Sequence, residues 1–173
     1  MIDTLIATLR ENTCRVSGPM GVDAARTAIV ALVAGHALVA CNDDVPIPGL
    51  ADALARLPVE VLDPRDPQWP VRLADADAGI TGALLAVAEP AAIAVAAAPG
   101  SPRGTSLVPP VHICVLRVAD LVPTLADAMQ TIAAGDLPSA LTWIGGPSRT
   151  GDLEMITTLG VHGPRTVEVV LVS

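Results

Sequence analysis

Residues His112–Val118, HICVLRV, are apolar at every position except His112 and Arg117. A run this short is a poor helix, and consecutive apolar side chains leave neither face of a strand for water. The segment therefore predicts a strand covered on both sides, as in a parallel sheet flanked by helices. The neighbouring segments extend this pattern. Upstream, Thr13–Ser17, Ala37–Cys41, Val59–Leu62, Gly79–Val87 and Ala92–Ala97 read as strands, the last two separated by Glu89-Pro90, because proline cannot donate a ladder hydrogen bond. Downstream, Thr142–Gly145 and Thr166–Val172 complete the set.

Helix-compatible stretches lie between them. Met1–Asn12 is amphipathic, and after the turn Gly18-Pro19-Met20-Gly21 a helix runs from Asp23 to Ala34, with Gly35 as its stop. Leu50–Leu57 is a shorter helix. Leu121–Ala134 places Leu121, Val122, Leu125, Met129 and Ile132 at helical spacing. Such alternation predicts an α/β domain with a largely parallel sheet, and 173 residues are enough for a single domain over positions 1–173.

Composition narrows the function. The chain has 18 acidic residues against 10 basic ones, all arginine, for a net charge of −8. An acidic chain without a basic run repels phosphate backbones, and without Phe or Tyr there is little for single-stranded bases to stack on, so nucleic acid is excluded as a partner. The absence of lysine removes Schiff-base and lysine phosphate-loop chemistry. Cys14, Cys41 and Cys114 are too dispersed for a zinc or iron–sulfur site and read as buried thiols. An odd cysteine count and a non-basic N-terminus point to the cytoplasm, and Ala24–Cys41 and Ala78–Ala98, interrupted by charge or proline, are not membrane spans.

The chemistry concentrates in Gly145–Pro164, GGPSRTGDLEMITTLGVHGP. Leu141–Gly146 ends a strand, and Pro147–Gly151 is expected to turn into a helix beginning near Asp152. Free N–H groups at such a helix start, with Ser148, Thr150 and the Arg149 guanidinium, would hold a carboxylate or phosphate. The alternative is that Ser148 or Thr150 only caps the helix, with Glu154 completing the cap. His162 follows after a helix about 15 Å long. It is either a proton-transfer residue, a partner for Asp152 or Glu154, or a hydrogen-bonded loop residue. The candidate ligand-binding set is thus Ser148, Arg149, Thr150, Asp152, Glu154 and His162, with no metal. Asp43-Asp44 could attract a hard cation but suits a solvated loop, and His36 and His112 read as core or strand-end residues.

GPSRTGDLEMITTLGVHGP is similar to the C-terminal segment of lactate-utilisation (LUD) family proteins, whose usual form is close to GPSRTADIE followed by GVHGP. ADAGITGA, with Asp77, and SLVPPVHICVL also resemble family segments, in the expected order, so the likeness covers most of the chain from Asp75 onward. The resemblance implies a three-layer α/β/α fold like that of the NagB/RpiA/CoA-transferase group. It also implies a part in oxidising L-lactate to pyruvate beside iron–sulfur partner proteins, which would carry the clusters that this chain cannot ligate. Two departures bear on activity. Where relatives often follow an Ala-Glu or Ala-Asp pair with a TGT-like turn, Ala88-Glu89 is followed here by Pro90-Ala91-Ala92. The N-terminal part is shorter and less recognisable than in larger relatives, and partner contacts there are expected to be lacking.

Three functions are compatible with these residues. The first is an accessory subunit of a lactate-oxidising system that binds a small anion or a partner at the Ser148–His162 region. The second is an independent enzyme acting on a CoA-linked or phosphorylated molecule, with Glu89 as nucleophile or His162 carrying chemistry. The third is an assembly module whose ligand site has decayed.

Overall fold

The computed structural model describes residues 1–151, 157–160 and 162–173, with the backbone alone for residues 150, 151 and 157–159. In chain order the elements are α1 (Ile2–Glu11), β1 (Arg15–Met20), α2 (Val22–Val33), β2 (Leu38–Cys41), α3 (Leu50–Leu54), β3 (Glu60–Leu62), α4 (Trp69–Arg72), β4 (Ala78–Gly82), β5 (Leu85–Glu89) and β6 (Ala92–Ala97). There follow β7 (Val111–Arg117), β8 (Leu121–Thr124), α5 (Leu125–Ala133), β9 (Ala140–Ile144), β10 (Arg149–Gly151), β11 (Thr157–Leu159) and β12 (Thr166–Val172).

Six strands form one sheet in the order β1-β12-β7-β4-β2-β3, every pair parallel. Side chains alternate across it. Ile113 and Val115 of β7 and Val170 of β12 pack under Ala25, Ile29 and Val33, which lie four apart on α2, and under Leu50 and Leu54 of α3. On the opposite face Cys114, Leu116, Val169 and Leu171 meet Leu5 and Leu9 of α1 and Ala86, Ile93 and Val95 of a second, four-stranded sheet ordered β8-β5-β6-β9. Helix α5 covers the outer side of that second sheet through Ala128 and Ile132. Helices thus enclose a mostly parallel central sheet, with a smaller sheet inserted on one side. Among the described residues, no helix is long and apolar enough to cross a membrane.

Three local expectations fail for physical reasons. Gly79–Val87 is not one strand but two, in different sheets. The Ala83 N–H still donates to Val115 of β7 at 2.8 Å, whereas the next N–H, that of Leu84, donates to Ala94 of β6 at 2.8 Å. The change of sheet occurs within one peptide, beside Gly82, where a Cβ would collide with the Asp44 carbonyl.

Leu121–Ala134 is a strand followed by a helix. Leu121 and Val122 pair with Ala86 and Val87 of β5, and Thr124 then caps α5 in a reciprocal box with Asp127. Leu125 and Met129, expected on the buried face, are exposed, and Ala128 and Ile132 are buried instead. Gly18-Pro19-Met20, expected as a turn, belongs to the end of β1.

Asp77 explains how β2 and β4 start level with each other. Its Oδ2 accepts the Ala37 N–H at 2.7 Å and the Leu38 N–H at 3.0 Å, and its own N–H donates to the Leu38 carbonyl at 2.8 Å. The two N–H donors, from Leu38 and then Ala37, hold its carboxyl below the usual carboxylate range. Asp77→Ala is expected to cost about 1 kcal/mol, a fall of about 2–4 °C in thermal midpoint by calorimetry. A carboxylate whose folded pKa is depressed contributes fully above its unfolded value of 3.8 and loses that contribution as pH falls through the lower folded value. The gap between wild type and variant should therefore stay constant down to about pH 5 and shrink below about pH 4.

Candidate functional site

The two halves of the Gly145–Pro164 motif close on each other through Ser148. Its N–H donates to the Pro164 carbonyl at 3.0 Å, and its carbonyl accepts the Gly160 N–H at 2.8 Å. Gly163 stacks on Ser148, where an added Cβ would lie 3.1 Å from the serine Cβ. Ser148 and His162 consequently border one cavity of about 220 Å³, together with Ser106, Trp143 and the buried His112.

The start of the helix expected from Asp152 lies outside the described residues; on either side of it an antiparallel ribbon forms, Arg149–Gly151 pairing with Thr157–Leu159, Thr150 opposite Thr158. Ser148 and Arg149 part company, Ser148 just before β10 and Arg149 at its first position. Arg149 donates to the Asn12 carbonyl at 2.9 Å and to Thr13 Oγ1 at 3.1 Å, and it borders a separate cavity of about 200 Å³ with Asn12 and Gly146. The guanidinium thereby fastens the C-terminal end of α1, where carbonyls lack intrahelical partners. Asp152 and Glu154 lie outside the described residues, as does the Thr150 side chain.

Glu89 is exposed at the end of β5, opposite Thr124, and lines neither cavity. After Pro90, Ala91 sits at φ 58, in the left-handed region that glycine enters freely and alanine does not.

Sequence reasoning read His112 as a core or strand-end residue and missed that it borders the cavity. Its Nε2 lies 2.9 Å from Thr81 Oγ1, while its Nδ1 has no hydrogen-bond partner among the described residues. Burial alone pushes the imidazole down to about 4, so it is neutral at pH 7. The one sequence signal was a histidine in an otherwise apolar strand. The cavity is walled on the β4 side by Arg103–Ser106, a turn of 3-10 helix that lies against the sheet because Gly79 has no side chain. A Cβ there would collide with the Thr105 carbonyl.

A larger cavity, about 420 Å³, opens at the C-terminal ends of β2 and β3, where ligands usually bind in open parallel sheets. Its charged lining is mostly acidic: Asp43, Asp63 and Arg65, the last bonded to Asp63 at 2.9 Å and 3.7 Å from Asp43. Asp44 instead accepts the Gly82 N–H at 3.0 Å, and burial raises its pKa. Among the described residues no three His, Cys, Asp or Glu side chains converge on one point. Burial also pushes the Cys14 thiol up to about 11 and those of Cys41 and Cys114 up to about 12. All three are therefore protonated and poor metal ligands or nucleophiles at neutral pH.

A parallel-sheet α/β domain in which Ser148 and His162 border one cavity at the start of β7 is the class this geometry defines. The LUD domain profile matches residues 2–172, and the chain belongs to that family. The lactate utilization protein C of Deinococcus radiodurans is 36% identical over 117 residues, 66% of this chain and 55% of that one. The protein of the same name from Exiguobacterium sp. is 42% identical over 102 residues, 56% of this chain and 44% of its own. The matches to these relatives span about half their length. The crystal structure of a DUF162 family protein from Deinococcus radiodurans superposes with a TM-score of 0.78 at 25% identity, covering 99% of this chain and 96% of that one.

Four substitutions test this geometry by thermal melting. Gly79→Ala should cost about 2–3 kcal/mol through overpacking against Thr105, whereas Gly135→Ala, with only the Ile132 carbonyl at 4.0 Å, should stay within about 0.5 kcal/mol of wild type. Arg149→Ala should cost about 1 kcal/mol by releasing α1, and Thr13→Val, which removes one of the two acceptors, should cost less.

Proposed function

We propose that this chain serves lactate utilisation in the cytoplasm as an accessory subunit that binds L-lactate or pyruvate in the Ser148–His162 cavity, while electrons pass to iron–sulfur partner proteins. The observation that carries this reading is the meeting of Gly146 and Ser148 with His162, Gly163 and Pro164 at one cavity, in a chain whose relatives are named for lactate utilisation. The cavity suits a molecule of three or four heavy-atom bonds in length more than a nucleotide or CoA. Ser148 supplies a hydroxyl that donates and accepts, and His162 an imidazole with two ring nitrogens for hydrogen bonding.

The reading assigns no redox step to this chain. Its thiols are protonated, and oxidation of the hydroxyl carbon would need an acceptor held by the partner. The independent-enzyme alternative finds less support, because the larger cavity presents two carboxylates to any phosphate.

Isothermal titration of the purified protein with L-lactate and pyruvate is the direct experiment. Binding is expected for one or both, weakened about tenfold or more by Ser148→Ala and His162→Ala, each loss corresponding to about 1.4 kcal/mol. The same variants, used in place of the wild-type protein, should lower lactate-dependent dye reduction in a mixture with candidate iron–sulfur partner proteins. If neither ligand binds, and both variants support that reaction as well as wild type, the chain is an assembly module and the proposal fails.

A further inference from the structure

The cavity of about 420 Å³ at the C-terminal ends of β2 and β3 has no task in the lactate reading. Its size falls in the range of small-molecule sites, roughly 300–1,000 Å³. The chain leaving β2 passes to α3 on one face of the central sheet, whereas the chain leaving its neighbour β4 enters the second sheet on the other face. Such a divergence is where open parallel sheets usually hold ligands.

Two kinds of lining meet in this cavity. Ile47, Leu50 and Leu54 are buried apolar side chains, and the less buried Val45 and Val61 continue the same lining. The charged lining is Asp43, Asp63 and Arg65, whose side chains are all at least half exposed and so open to a ligand. The Arg65 Nε–H donates to Asp63 Oδ1 at 2.9 Å, but its Nη2 stands 3.7 Å from Asp43 Oδ1, too far for a hydrogen bond. Among the described residues the terminal N–H groups of Arg65 and the Asp43 carboxylate therefore make no side-chain hydrogen bond, although they are neighbours. Asp43 is nonetheless fixed. Its N–H donates to the Gly100 carbonyl at 3.0 Å, and its carboxylate lies where a Cβ on Gly100 would collide with Oδ2.

An open guanidinium beside an open carboxylate favours a ligand that carries both charges close together. A guanidinium fork pairs with a carboxylate through two parallel bonds, and an ammonium has three N–H groups for a carboxylate to accept. A lone cation would be repelled by Arg65 and a lone anion by Asp43 and Asp63, whereas a zwitterion meets the opposite charge at each end. We propose that this cavity binds an apolar α-amino acid, with the ligand carboxylate on Arg65, its ammonium on Asp43 and its side chain against Val45, Ile47 and Val61. The proposal uses none of the residues of the lactate reading and stands or falls without it.

Isothermal titration of the whole protein with four probes tests it. L-leucine has both charges and an apolar body, isoamylamine lacks the carboxylate, isocaproate lacks the ammonium, and free glycine lacks the body. Leucine is expected to bind about tenfold or more tightly than any of the other three, because a site built for a polar group rejects the analogue without it. Asp43→Asn should weaken both leucine and isoamylamine. Arg65→Gln should weaken leucine about tenfold yet strengthen isoamylamine, an opposite pair of effects that loss of structure would not produce. Ser148→Ala, at the other cavity, should leave leucine binding unchanged. Methyl spectra of the wild-type protein need no variant: leucine should shift the resonances of Val45, Ile47 and Val61.

Isoamylamine or isocaproate binding as tightly as leucine would overturn recognition of a zwitterion. Leucine binding that leaves those three residues unmoved, or that survives both Asp43→Asn and Arg65→Gln, would overturn the assignment to this cavity. Absence of leucine binding would overturn the proposal outright, and none of these results bears on lactate.

Discussion

Strand β7 is held on both edges and both faces at once, and the other layers answer to that constraint. It pairs with β12 from Val111 to Arg117 and with β4 from Val111 to Val115, so its backbone donors and acceptors are spent on neighbours in the same plane. Its side chains are then divided between two cores, Ile113 and Val115 to one and Cys114 and Leu116 to the other. A strand buried this way needs a cover above and below, and in a chain without Phe or Tyr the covers must come close. Alanines on α2 and β5, and the bare Gly79 under Thr105, are how they do so.

The candidate site follows from the same strand. Where β7 and β12 begin, the described residues bordering the cavity come from the Ser106 turn, the end of β9 and the segments bearing Ser148 and His162. His112 is the first residue of β7 with a polar side chain, and it borders that space from a position whose sheet neighbours are Gly79 and Val167. The polar floor and the apolar strand are therefore one object. Such placement at the N-terminal ends of parallel strands is unusual, and it leaves the C-terminal crevice at Asp43 and Asp63 as a second, more acidic opening.

Much of this was legible in the residues. Continuous apolar runs located β2, β7 and β12, and paired glycine-rich turns singled out Ser148 and His162, because neither signal depends on distant contacts. What escaped was decided by tertiary pairing. Leu121 and Val122 fit helical spacing as well as strand spacing, and only β5 beside them selects the strand. Nothing between Gly82 and Leu85 announces that the chain leaves one sheet for another, since the cause is the approach of Asp44. Arg149 was grouped with Ser148 because a turn before a helix would gather both. Arg149 instead begins a ribbon, and α1 takes the guanidinium. His112 was hidden by its surroundings: burial usually marks a histidine as structural, and the lack of an Nδ1 partner among the described residues becomes visible only with coordinates.

The scarcity of aromatic residues has an optical consequence. With two tryptophans and neither Tyr nor Phe, near-ultraviolet absorption and emission come from Trp69 and Trp143 alone. Trp143 borders the Ser148–His162 cavity, whereas Trp69 packs over Ala40, Leu62 and Leu73 near the far edge of the central sheet. The fold has thus placed one indole beside the cavity and the other at a distance. The molecule carries an intrinsic reporter and an internal reference, with no background from other rings.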